Sequence, residues 1–561
     1  DLTINNNAAI STPNGTVGLN PGSSANKLTL SGNAVSLAVS GVLNIGYQGT
    51  QHLLKLESGA ILNVASLVVG ALADATANSV VATGSGTQVN LSGAGVIGKA
   101  GSQNAMQVTS GASFTKTGSG DLVLGETSGA DSNSLTITNG TLSFGSPISS
   151  TLVIGKVGDS NLFKVEAGAT ATTGQARLGV DATSSGNQAI VTGTGSIWNV
   201  GGTLRVGGDG SGNSLDILSG GQVNLTDTTK NLWIGYGVNS SNNTVTVSGS
   251  GSTLTVNGAG SDVVISYGGG TTPGSNNRLL LLDSGLADVR SVKLGPGGTL
   301  QFGDGGASGT IASSAAIIGN NGGGTVLFKH TDTNLQIANT LSGTLKVRQE
   351  GSGKTTLKAS SNTYTGNTEV AGGTLALSAA NSNNIASSPV IEVGSGATLD
   401  VTGLSGGLVL ASGQTLGGAG TVAGNVTVSS GSTLSPGLGG IGTMLFQNDV
   451  TIAGTLALDL NATTADRFSA SQLTISPGST LQFTSLAGLS AASYLLADYT
   501  SLAGTFTSVS GLPGGYQLDY NYLGQNKIAL YAVPAPGPLP LLGLAGGLSW
   551  SRRLRRRLKG R

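Results

Sequence analysis

Hydrophobic and polar residues alternate one for one along most of this chain. Val245-Thr-Val247 and Leu254-Thr-Val256 put aliphatic side chains on one face of an extended segment and threonine on the other, the period-two pattern of a strand. Each run is short and ends in a Gly- and Asn-rich cluster such as Gly207-Gly-Asp-Gly-Ser-Gly-Asn213. Such clusters supply the positive φ angles that tight corners need. The helical patterns of roughly 10–15 residues that alternate with strands in doubly wound sheets are missing, so the expected class is all-β.

The strands recur in a fixed frame. A hydrophobic-x-hydrophobic-Gly signature closes at Gly46, Gly70, Gly98, Gly125, Gly155, Gly179, Gly207 and Gly235, then weakens at Ser266 and Gly295; the intervals run from 24 to 31 residues. A second marker, a glycine in a small polar turn, follows each of the first eight signatures by 13 to 15 residues (Gly59, Gly84, Gly111, Gly140, Gly168, Gly193, Gly220, Gly249). Random placement does not hold an offset that tightly, so the repeat is real. Short strands at this period predict a right-handed parallel β-helix (a β-solenoid), one coil per repeat, in which a single coil cannot bury its own apolar face and stability comes from stacking. At roughly 4.8 Å per coil, some twenty coils make a rod on the order of 100 Å long. The expected organisation is first coils or an N-terminal cap over 1–42, repeats of about 27 residues over 43–300, further β-helix over 301–480, a Tyr-richer C-terminal β cap over 481–532, and a tail over 533–561.

That tail reads VPAPGPLPLLGLAGGLSWSRRLRRRLKGR. Its apolar stretch, Leu539 to Trp550, is 12 residues long, short of the roughly 17–25 that a membrane-spanning helix needs. Seven of the last ten residues are basic, among them Arg552, Arg553, Arg555, Arg556 and Arg557, and such a cluster stays on the cytoplasmic side of a membrane. A Pro-rich motif (Val533, Pro534, Pro536, Gly537, Pro538), an apolar segment and a basic stop together look like a processing and sorting address rather than a folded element. The tail resembles the PEP-CTERM sorting signal, in a variant that lacks the usual glutamate. The resemblance implies an exosortase-type processing enzyme as partner, transient inner-membrane contact, and final location at the cell surface or in the extracellular matrix. The chain starts directly in strand-like sequence at Asp1-Leu-Thr-Ile, so an export signal is expected to have been removed from this numbering.

A second resemblance lies inside the chain. Gly351 to Leu377 reads GSGKTTLKASSNTYTGNTEVAGGTLAL and is similar to the autotransporter-associated β-strand repeat, with Tyr364, Gly366, Gly373 and Leu375 at the matching positions. The units from Gly46 to Gly249, with TGTGSIWNV over 192–200, resemble another repeat of autotransporter passenger domains. The stretch from Tyr494 to Leu530 resembles the closing region of PEP-CTERM proteins carrying such repeats. The long membrane barrel that ends an autotransporter has no counterpart here; the sorting tail takes its place.

Composition narrows the function classes. The chain has 94 glycines, no cysteine, 9% charged and 4% aromatic residues, and 26 basic against 26 acidic groups. Without the seven tail cations the balance is 26 − 7 = 19 against 26, or −7, which leaves no basic patch for nucleic acid. Gly351-Ser-Gly-Lys-Thr-Thr356 imitates a phosphate loop, but the glycine required five residues before Gly353 is Arg348 and no long helix follows. His52 and His330 are 278 residues apart and belong to no metal-ligand spacing; both are expected to face solvent from strands. Asp131, Asp159, Asp181, Asp209 and Asp227 recur in inter-strand turns, where they suit Asx turns; weak Ca²⁺ sites along one edge are an alternative, although Gly207 to Leu218 does not match the Ca²⁺-binding nonapeptide. With six glutamates and no nominated nucleophile, no catalytic, cofactor or metal residue is assigned. The expected role is a non-enzymatic structural or adhesive protein whose partners are extracellular polysaccharide or copies of itself. The alternative is a polysaccharide-binding or polysaccharide-degrading β-helix: a cluster of exposed aromatics at one level of the rod would favour glycan binding, and three or more carboxylates within one cleft would favour the enzyme. Trp198 and Trp233, 35 residues apart, are not expected to stack in register.

Overall fold

The computed structural model describes residues 1–145, 150–268, 273–320, 322–485 and 488–534. The chain winds into an all-β parallel solenoid of about 19 turns, with half its residues in strands. In the first half a coil contributes three short strands, for example Gln188–Thr192, Ile197–Val200 and Leu204–Val206. Each pairs in parallel with its counterpart one coil later, Ser214–Leu218, Gln222–Leu225 and Leu232–Ile234. The period-two pattern decides what lies inside: Ala189, Val191, Trp198, Val200, Leu204 and Val206 are fully buried, and the residues between them face outward. Repeated coil on coil, this makes one hydrophobic column running from Leu30 to Leu530.

One corner of the column is polar. Asn78, Asn104, Asn133, Asn161, Asn187, Asn213 and Asn243 immediately precede the first strand of successive coils, Asn277 opens that strand in the next, and all are fully buried. The Oδ1 of each accepts the backbone N–H of the asparagine one coil earlier, at 2.9–3.0 Å from Asn78 to Asn277. The earlier asparagine also donates its Nδ2 to the same oxygen, at 3.0–3.2 Å. His52 occupies the first rung and donates its backbone N–H to Asn78. At the far end, Asn277 Nδ2 donates to the Ser240 carbonyl and to Ser266 Oγ.

The signature glycines exist because of this ladder. A Cβ at Gly70, Gly98, Gly155 or Gly207 would lie 2.1–2.3 Å from the side chain of Asn104, Asn133, Asn187 or Asn243, and each of these glycines has φ between +72° and +78°. Both the space and the left-handed backbone exclude other residues. The corner between glycine and ladder residue alternates in length: the ladder residue stands six, eight, six, eight positions after the glycine, from Gly46/His52 and Gly70/Asn78 through to Gly207/Asn213 and Gly235/Asn243. The longer corners place a small buried residue, Ala75, Ala130 or Ser184, against a glycine of the next, shorter corner: a Cβ at Gly101, Gly158 or Gly210 would lie 2.0–2.1 Å from that residue's carbonyl oxygen.

Beyond Asn277 the coils shorten, with Val326 pairing Val347 and Val347 pairing Thr368, and other buried polar residues replace the ladder. His330 Nδ1 accepts the Asp332 N–H at 3.1 Å and its Nε2 meets Thr355 Oγ1 at 2.7 Å, while Thr355 donates to Gln349 Oε1. Burial pushes the His330 imidazole below its ordinary pKa, against the opposing pull of Asp332. Both histidines are fully buried, so the expectation that they face solvent is corrected: His52 substitutes for a ladder asparagine and His330 fills a polar interior. The phosphate-loop look-alike is part of the same packing. Lys354–Leu357 is a strand, and a Cβ at Gly351 or Gly353 would lie 2.3–2.6 Å from His330. Tyr364 is buried with its hydroxyl 2.6 Å from Thr368 Oγ1, and burial raises its pKa. Gly366 and Gly373 allow close passage of the Leu345 and Gly351 carbonyls, and Leu375 is buried.

The C-terminal end changes from parallel to antiparallel pairing. Ser493–Ala503 adds in parallel to Arg467–Ile475, then pairs antiparallel with Lys527–Ala532, which pairs antiparallel with Tyr516–Asp519. Nearby, buried Asp466 accepts backbone N–H groups from Gly442 and Asp459, both at 2.8 Å. Burial nevertheless pushes its carboxyl up to about 7.

Two outcomes follow from these contacts. Asn187→Ala strips Asn161 of its acceptor and Asn213 of a donor, and is expected to cost about 1–3 kcal/mol, read as a lowered denaturant midpoint; Asn199→Ala, on the outer face, is expected to stay within about 0.5 kcal/mol. The folded Asp466 carboxyl binds its proton more tightly than the unfolded one, so its contribution is fully present below the unfolded pKa and is lost as pH rises through about 7. Melting curves from pH 5 to 8 are expected to show the wild type losing stability relative to Asp466→Asn; a constant difference contradicts this.

Candidate functional site

With the interior filled, chemistry belongs to the outward columns. The second strands present one that is entirely small and polar: Asn63, Asn90, Thr115, Ser143, Thr172, Asn199, Asn224 and Thr255 stand in register on successive coils. Asn90 donates to Asn63 Oδ1 at 2.9 Å and Asn224 to Asn199 Oδ1 at 3.0 Å, a ladder open to water on one side.

The third strands carry a different column. Val68, Val96, Val123 and Val153 follow one another in register, then Arg177, Arg205, Trp233, Val264 and Lys293. At the valine end the surface forms a shallow groove lined by Tyr47, Val68, Leu72, Val96, Lys99 and Glu126, with Tyr47 and Leu72 exposed. At the other end the column becomes aromatic and cationic. Trp233 meets Tyr236 edge-on at 5.2 Å and Tyr267 at 4.6 Å between ring centroids, while the two tyrosines stack at 5.5 Å. The Arg205 guanidinium sits 3.7 Å above the Tyr236 ring centroid, within the range of a cation–π contact. Burial pushes Arg205 below its ordinary pKa, and its Nε has no hydrogen-bond partner among the described residues.

The patch is bounded by an ion-pair cluster. Asp262, almost fully buried, is bonded by Arg290, Lys293 and Ser291. Burial pushes its carboxyl up, but Lys293, Ser291 and Arg290 together hold it below the ordinary value. Lys293 and Arg290 are therefore engaged, whereas Arg177 and Arg205 form no ion pair among the described residues. Asp209, at the adjoining corner, acts on Arg205 only at a distance.

Of the predicted site residues, the glycines from Gly46 to Gly235 line the asparagine corner, and Tyr364, Gly366, Gly373 and Leu375 serve the interior. Val533 donates its N–H to the Gly515 carbonyl at 2.8 Å, and Pro534 follows it. Pro536, Gly537, Pro538, Arg552, Arg553, Arg555, Arg556 and Arg557 lie outside the described residues. The five turn aspartates stand in corners; among the described residues no group of three or more His, Asp or Glu is placed to hold a metal ion. Trp198 and Trp233 do not stack, as their spacing predicts. Trp198 points into the core, edge-on to Phe163 at 5.0 Å and donating to Thr173 Oγ1 at 3.0 Å.

Sequence reasoning missed the aromatic patch, and its signal was present. Trp233 and Tyr236 flank the signature Gly235, and Tyr267 follows Ser266, the next signature position. Among the described residues no helix is long and apolar enough to cross a membrane. No protein-family model matches the chain, and no curated protein matches it.

The two tryptophans differ enough to check the assignment of faces. Trp198→Ala is expected to cost about 3–5 kcal/mol through the cavity it opens. Trp233→Ala forfeits ring contacts worth about 0.5–1.5 kcal/mol each. Denaturation of the two variants tests this order, and the reverse order contradicts it.

Proposed function

We propose that this chain is an exported, non-enzymatic structural or adhesive rod of the cell surface or extracellular matrix, carrying a PEP-CTERM-like processing address over 533–561. The observation that carries the reading is the column of Asn, Thr and Ser from Asn63 to Thr255. It repeats hydrogen-bonding groups at coil spacing along a face with few charges, which suits lateral association with glycan or with copies of the same chain. The filled core beneath it, continuous from Leu30 to Leu530, favours a load-bearing spacer. An exosortase-type enzyme would act on the tail.

A second reading, polysaccharide binding, is favoured by one specific feature, the aromatic and arginine patch around Trp233. The two readings are compatible, since an adhesive rod needs a place to adhere.

Mass spectrometry of the C-terminus in separated cell fractions tests the proposal. A terminus between Val533 and Leu541, found at the surface, in the matrix or in the medium, is the expected result. An intact Arg561 confined to the inner-membrane fraction overturns it.

A further inference from the structure

We propose that Arg177, Arg205, Trp233, Tyr236 and Tyr267 form a binding site for an anionic polysaccharide, and this inference rests on the surface-rod reading. Three observations meet at one level of the third-strand face. Arg177 and Arg205 are in-register neighbours on adjacent coils, a like-charge pair that costs energy unless an anion sits across it. Neither has a carboxylate partner among the described residues, in contrast to Lys293 and Arg290, which are both taken up by Asp262. The buried Arg205 Nε has no partner among them either, and an unsatisfied buried donor is a standing cost that a ligand acceptor removes.

The rings define the rest of the ligand. Trp233 and Tyr267 are partly exposed beside the arginines, and Tyr236 is held between Arg205 and Tyr267, so this aromatic surface is preorganised. Flat, amphipathic rings match the apolar C–H faces of pyranose units while their polar edges stay wet. Guanidinium groups match carboxylate or sulfate in a two-pronged geometry. A polymer of sugar rings bearing anionic groups satisfies both halves of the site; a neutral glycan satisfies only the rings, and a simple anion only the arginines.

The test uses the full chain with three polymers, alginate (carboxylate), dextran sulfate (sulfate) and dextran (neutral), in affinity electrophoresis and calorimetry. The expected result is binding to at least one anionic polymer that weakens with salt, with little retardation by dextran. Preference between the two anionic polymers identifies the anionic group. Arg205→Ala and Trp233→Ala are each expected to weaken binding at least tenfold, whereas Thr246→Ala, outward on the first-strand face, leaves it within twofold; thermal melts of all three show that the solenoid is intact. Absence of binding to both anionic polymers, equal binding of dextran, or unchanged affinity in both patch variants overturns the proposal. Cell fractionation of the same variants keeps the two readings apart. Correct surface location with no polymer binding removes this site alone, and a wrong location removes the surface-rod reading whatever the binding result.

Discussion

A buried amide has to bond to something, and in this molecule the requirement sets the geometry of the first half. Each ladder asparagine carries a side-chain donor, a side-chain acceptor and a backbone N–H into a fully buried corner, where each needs a partner. The solution is translational. The acceptor of one coil receives both donors of the coil before it, from Asn78 to Asn277. Every rung thus depends on the next coil being present and in register. Apolar packing alone tolerates small slips between coils, whereas two directed bonds to a single oxygen do not.

The glycine signature, the corner lengths and the small residues facing the ladder follow from that demand. An L-residue at Gly98 or Gly155 would meet the amide beside it, and the φ of +76° or +72° there is already unfavourable for it. The alternating short and long corners let Ala75, Ala130 and Ser184 seat against glycines of the following coil. Where the ladder stops, the interior needs individual solutions, such as His330 with Thr355 and Gln349. Because internal bonds fix the coils, the outer positions are free of structural duty. That freedom permits a uniform polar column on one face and a column changing from valine to arginine and aromatic residues on another.

Much of the fold is legible in the sequence, for a definite reason. Stacking places like residues over like, so a glycine demanded once is demanded in every coil, and Gly46 to Gly235 announce the repeat directly. The purpose of those glycines is harder to read. The ladder asparagines alternate between six and eight positions behind them and are hidden among other asparagines in the same corners, such as Asn239 and Asn242. His52 and His330 mislead for a related reason. Nothing local distinguishes a polar residue pointing into a polar corner from one pointing into water. The patch at Trp233 is invisible to a search for one repeated residue, because it joins unlike residues at equivalent positions of adjacent coils: Arg177, Arg205 and Trp233.

The central claim, that the buried asparagine ladder locks the coils, is tested most directly by hydrogen exchange on protein labelled with ¹⁵N at asparagine. The account predicts that backbone and side-chain N–H groups of Asn104, Asn133, Asn161, Asn187 and Asn213 exchange together and among the slowest in the molecule. The side-chain amides of Asn63 and Asn239, at the surface, should exchange far faster. Ladder amides exchanging as quickly as those at the surface would mean that the corner opens without the coils coming apart, and would contradict the claim.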